Sequence, residues 1–435
     1  MIKKTLIKLF STDQPEFKSL FNTLLNRSLL KSQAVEDKVR IIVNQVKFQG
    51  DQALIAFANQ FDQAGFECSE DFVLYPAQME QAFDALELEI RQSLETAYAR
   101  ITAYHEKQKA QSWQFEDQHG SKLGQRISAI EKVGIYVPGG QASYPSSLLM
   151  NAVPAKIAGV NEMTMVTPGT RQSINPLVLA AGHLVGIDKI YTIGGAHAIA
   201  ALAYGTASVS RVDKIVGPGN KYVAEAKRQV FGVVGIDMIA GPSEVLIIAD
   251  GSVNPDWMAM DLFAQAEHDQ DAQAILLCPD QDYLEQVDHS IRHLIQQMPR
   301  KSIIQTALAE HGALIKVKDM KEAFSISNRI APEHLEIMTQ DPEQYLPEIK
   351  NAAAIFLGAF SSEALGDYCA GPNHVLPTAS TARFASPLGV YDFQKRSSVI
   401  QISEQGAREL ATTASWLANH EGLTAHSQAA LIRIL

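Results

Sequence analysis

Asp367 and His374 stand seven residues apart in the stretch Gly366–Thr378, GDYCAGPNHVLPT. A carboxylate and an imidazole on irregular backbone are the groups that hold a metal ion or divide proton work. The glycines and prolines predict a loop rather than a helix. A surface turn with two solvated side chains would carry the same letters. Three other stretches bear on the choice: QAEHD at 265–269, APEHLE at 331–336 and EGLTAH at 421–426.

Asn254 and Pro255 form an N-cap and first-turn pair, which predicts a helix over 255–268. Gln265 and His268 then lie three apart on one face, near its C-terminal end. A solvated surface pair has the same spacing. Glu333 and His334 follow Pro332 at the mouth of a strand-like run, where adjacent acid and base could share proton transfers. A connector with exposed charges fits equally well, and His426, five residues after Glu421, says nothing by itself. Taken together, Gln265, His268, Asp367 and His426 supply two imidazoles, a carboxylate and an amide, all donors that zinc accepts. A structural zinc is normally closed by thiolates, and an amide oxygen is a weak ligand. The set therefore points to a catalytic or substrate-holding ion, on condition that the four side chains meet in space. A zinc hydrolase with Glu333 as its base and a zinc-stabilised binding protein both remain open on these residues.

The elements that must position these groups have the composition of a globular enzyme. The chain has 435 residues, 46% apolar and 20% charged, enough for two or three domains. A formal net charge of −11 argues against a nucleic-acid footprint. No run of about 18 apolar residues exists to span a membrane. The opening MIKKTLIKLF is a poor signal peptide, because Lys8 interrupts its short apolar run. Three cysteines, Cys68, Cys278 and Cys369, form no CxxC pair, which suits a reducing cytoplasm and excludes a thiolate zinc finger. Cys369, inside the opening loop, reads as a small buried thiol.

Val35, Val39, Ile42, Val43 and Val46 fall on one helical face, and Gly50 ends that helix. A long helix carries Ile90, Leu94, Ala97, Ile101 and Tyr104 on one side. From Lys132 the texture becomes βα alternation: GIYVPGG, MTMVTPG, KIYTIGG and KIVGPG are β-rich runs ending in Gly or Pro, with helical patterns between them. Their glycines sit just past strand ends, where open α/β sheets bind ligands, yet no GxGxxG is present. EVLIIAD, AILLCP, GALIKV, LEIMT and AAIFLG predict a second sheet of comparable size, with a boundary near 240–245. The tail after about 381 has one strand-like run, SSVIQIS, and two helices, too little for its own core, so it must dock on something. No internal repeat stands out.

The landmarks YVPGG, GGAHAIAALAYGT, VDKIVGPGN, AGPSEVLIIAD, QAEHD, APEHLE, GDYCAGPNHVLPT and EGLTAH occur in one order from about residue 30 to the C-terminus. In this the chain closely resembles the histidinol dehydrogenases. The resemblance implies an α/β fold with two Rossmann-like, mostly parallel sheet domains. An N-terminal helical arm would span 1–30. A first α/β domain of 31–133 plus 243–380 would carry zinc and the catalytic residues, and a second, 134–242, the NAD-side loops. A small C-terminal domain, 381–435, would dock on the partner of a homodimer. By the same resemblance one zinc ion per subunit would be held by Gln265, His268, Asp367 and His426, and Glu333 and His334 would be the acid–base pair. Ser243, Gln265, His268, His334, Asp367, His374, Glu421 and His426 would contact L-histidinol. Tyr136, His197 and Asn220 would face NAD. Glu421 and His426 would act on the partner subunit's site. The activity implied is the oxidation of L-histidinol to L-histidine through the aldehyde with two NAD+, in the cytoplasm. The family usually has glutamine where this chain has His197.

Overall fold

The runs EVLIIA at 244–249 and QAILLC at 273–278 are buried at every position. Strands of that kind need cover on both faces, which a parallel sheet between helices provides. The computed structural model describes residues 6–25, 33–139, 144–170 and 174–434. In chain order its strands are β1 (Lys8–Ser11), β2 (Val73–Leu74), β3 (Trp113–Glu116), β4 (Lys122–Ala129), β5 (Lys132–Tyr136), β6 (Glu162–Val166), β7 (Lys189–Tyr191), β8 (Lys214–Val216), β9 (Gly235–Ile236), β10 (Glu244–Ala249), β11 (Gln273–Cys278), β12 (Ala313–Lys316), β13 (His334–Met338), β14 (Ala354–Leu357) and β15 (Gln394–Gln401).

They form two six-stranded sheets, ordered β2-β7-β6-β5-β8-β9 and β1-β12-β11-β10-β13-β14, and a three-stranded sheet, β15-β4-β3. Within each large sheet five successive parallel strands follow one pattern. The first lies in the middle, the next two extend to one side, and the last two to the other. The two sheets thus share a doubly wound topology, a repeat that the sequence conceals. Each is sandwiched between apolar clusters, with Ile247, Leu262 and Val287 on one side of the second sheet and Leu246, Phe324 and Ile337 on the other.

The expected domain boundaries need correction. Residues 8–11 do not belong to a separate helical arm: β1 pairs in parallel with β12, and Phe21 of the following helix (Phe17–Leu25) is buried against the same sheet. The helices Gln33–Gln49 and Asp51–Phe61 do not join the 243–380 region. Their Val39, Val43 and Leu54 pack with Ile199 and Val223 on the first sheet, because the apolar face of 195–204 is otherwise uncovered. Lys122–Ala129 pairs antiparallel with Gln394–Gln401, so the small third sheet joins two distant stretches of chain.

Local sequence places the helix ends. Asn254 caps Pro255–Ala266 by accepting from the Asp256 N–H. Asn175 does the same for Pro176–Val185, which Gly186 ends in the left-handed region. The turns after β5, β6, β7 and β8 all open at the C-terminal edge of the first sheet. Glu244 and His334 begin β10 and β13, so they lie at the N-terminal edge of the second.

Candidate metal and acid–base site

Parallel pairing sets Val245 beside His334, so the starts of β10 and β13 lie side by side. Glu244, Glu333 and His334 are all buried there. The Glu244 N–H donates to Glu333 Oε2 at 2.8 Å. His334 Nδ1 lies 3.1 Å from the Glu244 carbonyl oxygen, which can only accept, so Nδ1 carries a proton. Nε2 is then the working nitrogen. It has no hydrogen-bond partner and stands 3.6 Å from Asp367 Oδ1, just outside bonding range.

Asp367 comes from the stretch expected to be a loop. The structure corrects this: Glu363–Leu365 is helical and Gly366–Ala370 is a π-helical turn, with irregular chain only from Gly371. The glycines and prolines fall after Asp367, except Gly366, which permits the turn. A Cβ on Gly366 would lie 2.5 Å from the Phe356 ring. Single π-turns of this kind recur at functional sites. His374 Nδ1 donates to the Asp367 carbonyl at 2.8 Å, and its Nε2 lies 3.4 Å from Ser147 Oγ.

Gln265 is buried, while His268 is exposed on the turn after the helix, which stops at Ala266 rather than 268. Ligand atoms of His268, Glu363 and Asp367 lie within 4.8 Å of one another. Glu363 escaped the sequence reading, as did Glu244. The usable signal was its place four residues before Asp367, one helical turn away. Ser243 immediately precedes β10.

Electrostatics separates the roles. Burial pushes the Glu333 carboxyl up to about 8. Burial also raises Glu363. Burial alone would lower His334, but Glu363, Glu333 and Asp367 outweigh it and hold the imidazole well above its ordinary value. Burial would raise Asp367, and His334, His374 and His268 reverse that and keep it low. Burial lowers His374.

Glu421 and His426 are not brought to this cluster within the chain. Glu421 ends the helix Glu404–His420, His426 lies on Thr424–Leu431, and both are exposed. Among the described residues, the metal-capable group of one chain omits His426.

A cavity of about 940 Å³ opens at the C-terminal edge of the first sheet, lined by Tyr136, Gly139, Pro168, His197 and Asn220 among others. The Tyr136 hydroxyl accepts from the Gly195 N–H at 3.1 Å, and burial pushes its pKa to about 12. Asn220 caps the helix Lys221–Val230. His197 is 1% exposed, and among the described residues neither ring nitrogen has a hydrogen-bond partner. Burial lowers its pKa to about 3, so the ring is neutral.

A sequence model of the histidinol dehydrogenase family matches residues 25–434. The chain is 56% identical over 424 residues to a histidinol dehydrogenase of Chromobacterium violaceum, covering 98% of each. It is 54% identical to one of Pseudomonas fluorescens, covering all of this chain and 98% of that one. The crystal structure of histidinol dehydrogenase from Elizabethkingia anophelis superposes with a TM-score of 0.93 at 34% identity, covering 99% of this chain and 98% of that one.

The chain belongs to the histidinol dehydrogenase family. Histidinol dehydrogenases are oxidoreductases, and the α/β architecture expected from the sequence is the one found. The donor set suits an ion bound by nitrogen and oxygen: the His268 imidazole and the Glu363 and Asp367 carboxylates lie within 4.8 Å of one another, the Gln265 amide abuts Glu363, and His334 Nε2 stands 3.6 Å from Asp367. The cavity has the volume for an extended ligand and lies at the C-terminal edge of a parallel sheet, where such folds bind one. Gly139 and Gly194 lie so close to Pro168 that a Cβ at either would stand within 3 Å of it, and among the described residues the two nitrogens of His197 lack partners.

Proposed function

We propose that this protein oxidises L-histidinol to L-histidine through the bound aldehyde, using two NAD+ and one zinc ion per subunit. The observation that carries the reading is the convergence of His268 with Asp367, and of Gln265 with their neighbour Glu363, from two separate segments beside the buried Glu333–His334 pair. Gln265, His268, Asp367 and the partner's His426 would hold the zinc. Bound there, it would orient and polarise a substrate bearing imidazole and amino nitrogens. The dinucleotide in the 940 Å³ cavity would supply the hydride acceptor.

The protein's own groups do the rest. His334 Nε2 takes the alcohol proton once it has shed its own, a base form that its raised pKa places at higher pH, with Nδ1 anchored on the Glu244 carbonyl so that the ring cannot turn away. Glu333, held by the Glu244 N–H, takes a proton from the water that hydrates the aldehyde. Ser243, His374 and the partner's Glu421 bind the substrate's polar groups. The sheet edges matter here: the cofactor loops and the acid–base pair come from different sheets, so the reacting carbon lies between two rigid bodies.

A homodimer with an exchanged tail accounts for the exposure of Glu421 and His426. It also accounts for apolar surface on the tail, where Ile400, Trp416, Leu417 and Ile432 are each more than 60% exposed. Tyr368 and Phe384 are similarly bare near the site. No helix among the described residues is long and apolar enough to cross a membrane. A cytoplasmic biosynthetic enzyme fits that composition.

The test is one assay: dialysed protein with and without added zinc, plus histidinol and NAD+, counting NADH formed per histidinol consumed. Two per substrate supports the four-electron reaction. Substrate turnover without NADH would indicate a hydrolase instead.

A further inference from the structure

One end of the Gln265 side-chain amide is surrounded by acceptors. Glu363 Oε1 lies 2.9 Å away, Oε2 3.2 Å, and the Glu244 carbonyl oxygen 3.2 Å. His334 Nδ1 is also 3.2 Å away, but the other three neighbours are oxygens that only accept, two of them on the Glu363 carboxylate, so that end is the NH2 group. The carbonyl oxygen is therefore turned the other way. An amide ligates a metal only through oxygen, so this choice of end decides whether Gln265 can serve.

Glu363 is well placed to enforce the choice. It is 1% exposed, and so is Gln265, so neither can exchange its partner for water. The Glu363 N–H donates to Glu336 Oε1 at 2.9 Å, which fixes the start of the turn against β13. A rigid acceptor on a pinned backbone faces a rotatable amide. Resting on the zinc reading above, we infer that Glu363 is a positioning residue: it holds the Gln265 NH2 so that the amide oxygen is presented to the ion. The competing role is direct ligation, because Glu363 also lies within 4.8 Å of the ligand atoms of His268 and Asp367.

A residue that acts through another has no effect once that other is gone. Zinc affinity is measured by competition with a chromophoric chelator for the full-length wild type, Glu363→Gln, Glu363→Met, Gln265→Ala and the Gln265→Ala/Glu363→Met double variant, with apo melting curves to establish folding. Loss of an outer partner of a metal ligand typically weakens binding about 10–100-fold, which is expected for Glu363→Met. Glu363→Gln, which keeps its volume and one acceptor oxygen, stays close to wild type. The double variant binds no more weakly than Gln265→Ala alone. Wild-type affinity in Glu363→Met overturns the inference. So do losses that multiply in the double variant, which make Glu363 itself a ligand. If the methionine variant fails to fold, Glu363→Gln still decides: a large loss there shows that the charged carboxylate binds the ion. A wild-type chain that takes up no zinc overturns the metal reading and this inference with it.

Discussion

His334 Nε2 faces Asp367 Oδ1 across 3.6 Å, with no hydrogen bond made by that nitrogen. The gap leaves a base whose lone pair or second proton is uncommitted and whose ring is fixed at its other nitrogen. Replacing His334 by Asn should lower both oxidations by about 10²–10⁴-fold, the range for loss of a general base. Stopped-flow NADH traces from histidinol and from the aldehyde measure the two steps separately. Loss confined to the aldehyde step would remove His334 from the first proton transfer.

Glu333 is the group whose protonation should shape the second step. Burial raises it to about 8, so at neutral pH most of it is protonated and unable to accept a proton from water. The base form grows as pH rises through that value. Aldehyde oxidation by the wild type should therefore increase between about pH 7 and 9, and Glu333→Gln should flatten this limb while leaving the first NADH largely intact. An unchanged limb in Glu333→Gln would assign it to another group.

His197 predicts a stability effect in the opposite pH range. Its folded pKa is lowered to about 3 from 6.5, so the unfolded chain binds the extra proton between those values. Stability from this site is full above pH 6.5 and declines as the solution is acidified towards 3. Between pH 6.5 and 4.5 the loss is roughly 2–3 kcal/mol. His197→Gln should lack that part of the acid slope in urea melts. Parallel slopes for the two proteins would show that the ring gains a proton in the fold.

Lys227 and Asp237 form a buried ion pair, their side chains 3% and 1% exposed. Lys227 Nζ also donates to the Gly217 carbonyl at 3.0 Å, and Asp237 Oδ2 accepts from the Gly217 N–H at 2.8 Å. Gly217 has φ +110°, and a Cβ there would lie 2.1 Å from the Tyr136 carbonyl oxygen. The pair thus clamps the turn that carries Asn220 to the cavity. Lys227→Met leaves an uncompensated buried carboxylate and should destabilise by about 3–5 kcal/mol. In protein that remains folded, KM for NAD+ should rise more than KM for histidinol. Equal changes in both would mean that the pair supports the fold without shaping the cavity.

Subunit exchange is checked by mixing. A His426→Asn chain and a Glu333→Gln chain each lack part of the proposed site. Heterodimers purified with two affinity tags should regain up to about half of wild-type activity per dimer, because one of two sites is intact. No recovery in verified heterodimers would place His426 in its own chain's site.

Much of this was readable in advance because βα alternation writes itself locally. Strands β5 to β8 are each followed within three residues by Gly or Pro, and Asn254–Pro255 announces a helix that begins there. Of the ligand candidates Gln265, His268, Asp367 and His426, all marked by residue type, His268 and Asp367 lie together with Glu363, Gln265 abuts Glu363, and His426 lies outside that group. Long-range choices were not readable. The apolar face of 33–49 is a face for any sheet, and only packing against Ile199 and Val223 selects one. Glu363 sat in an unremarkable SSEALGD, and its importance comes from Gln265, about a hundred residues earlier.

The pairing of β1 with β12 has a consequence for how the chain is made. Every strand of the first large sheet lies between residues 73 and 236, so that sheet can close while the rest is still being synthesised. Lys8–Ser11 has no neighbour until Ala313–Lys316 emerges, roughly 300 residues later. At ribosomal speed that wait is about 15–60 s. A bare, sticky strand would invite association with other nascent chains for all that time. Four residues, with a lysine at one end and a serine at the other, make a poor template for such misassembly.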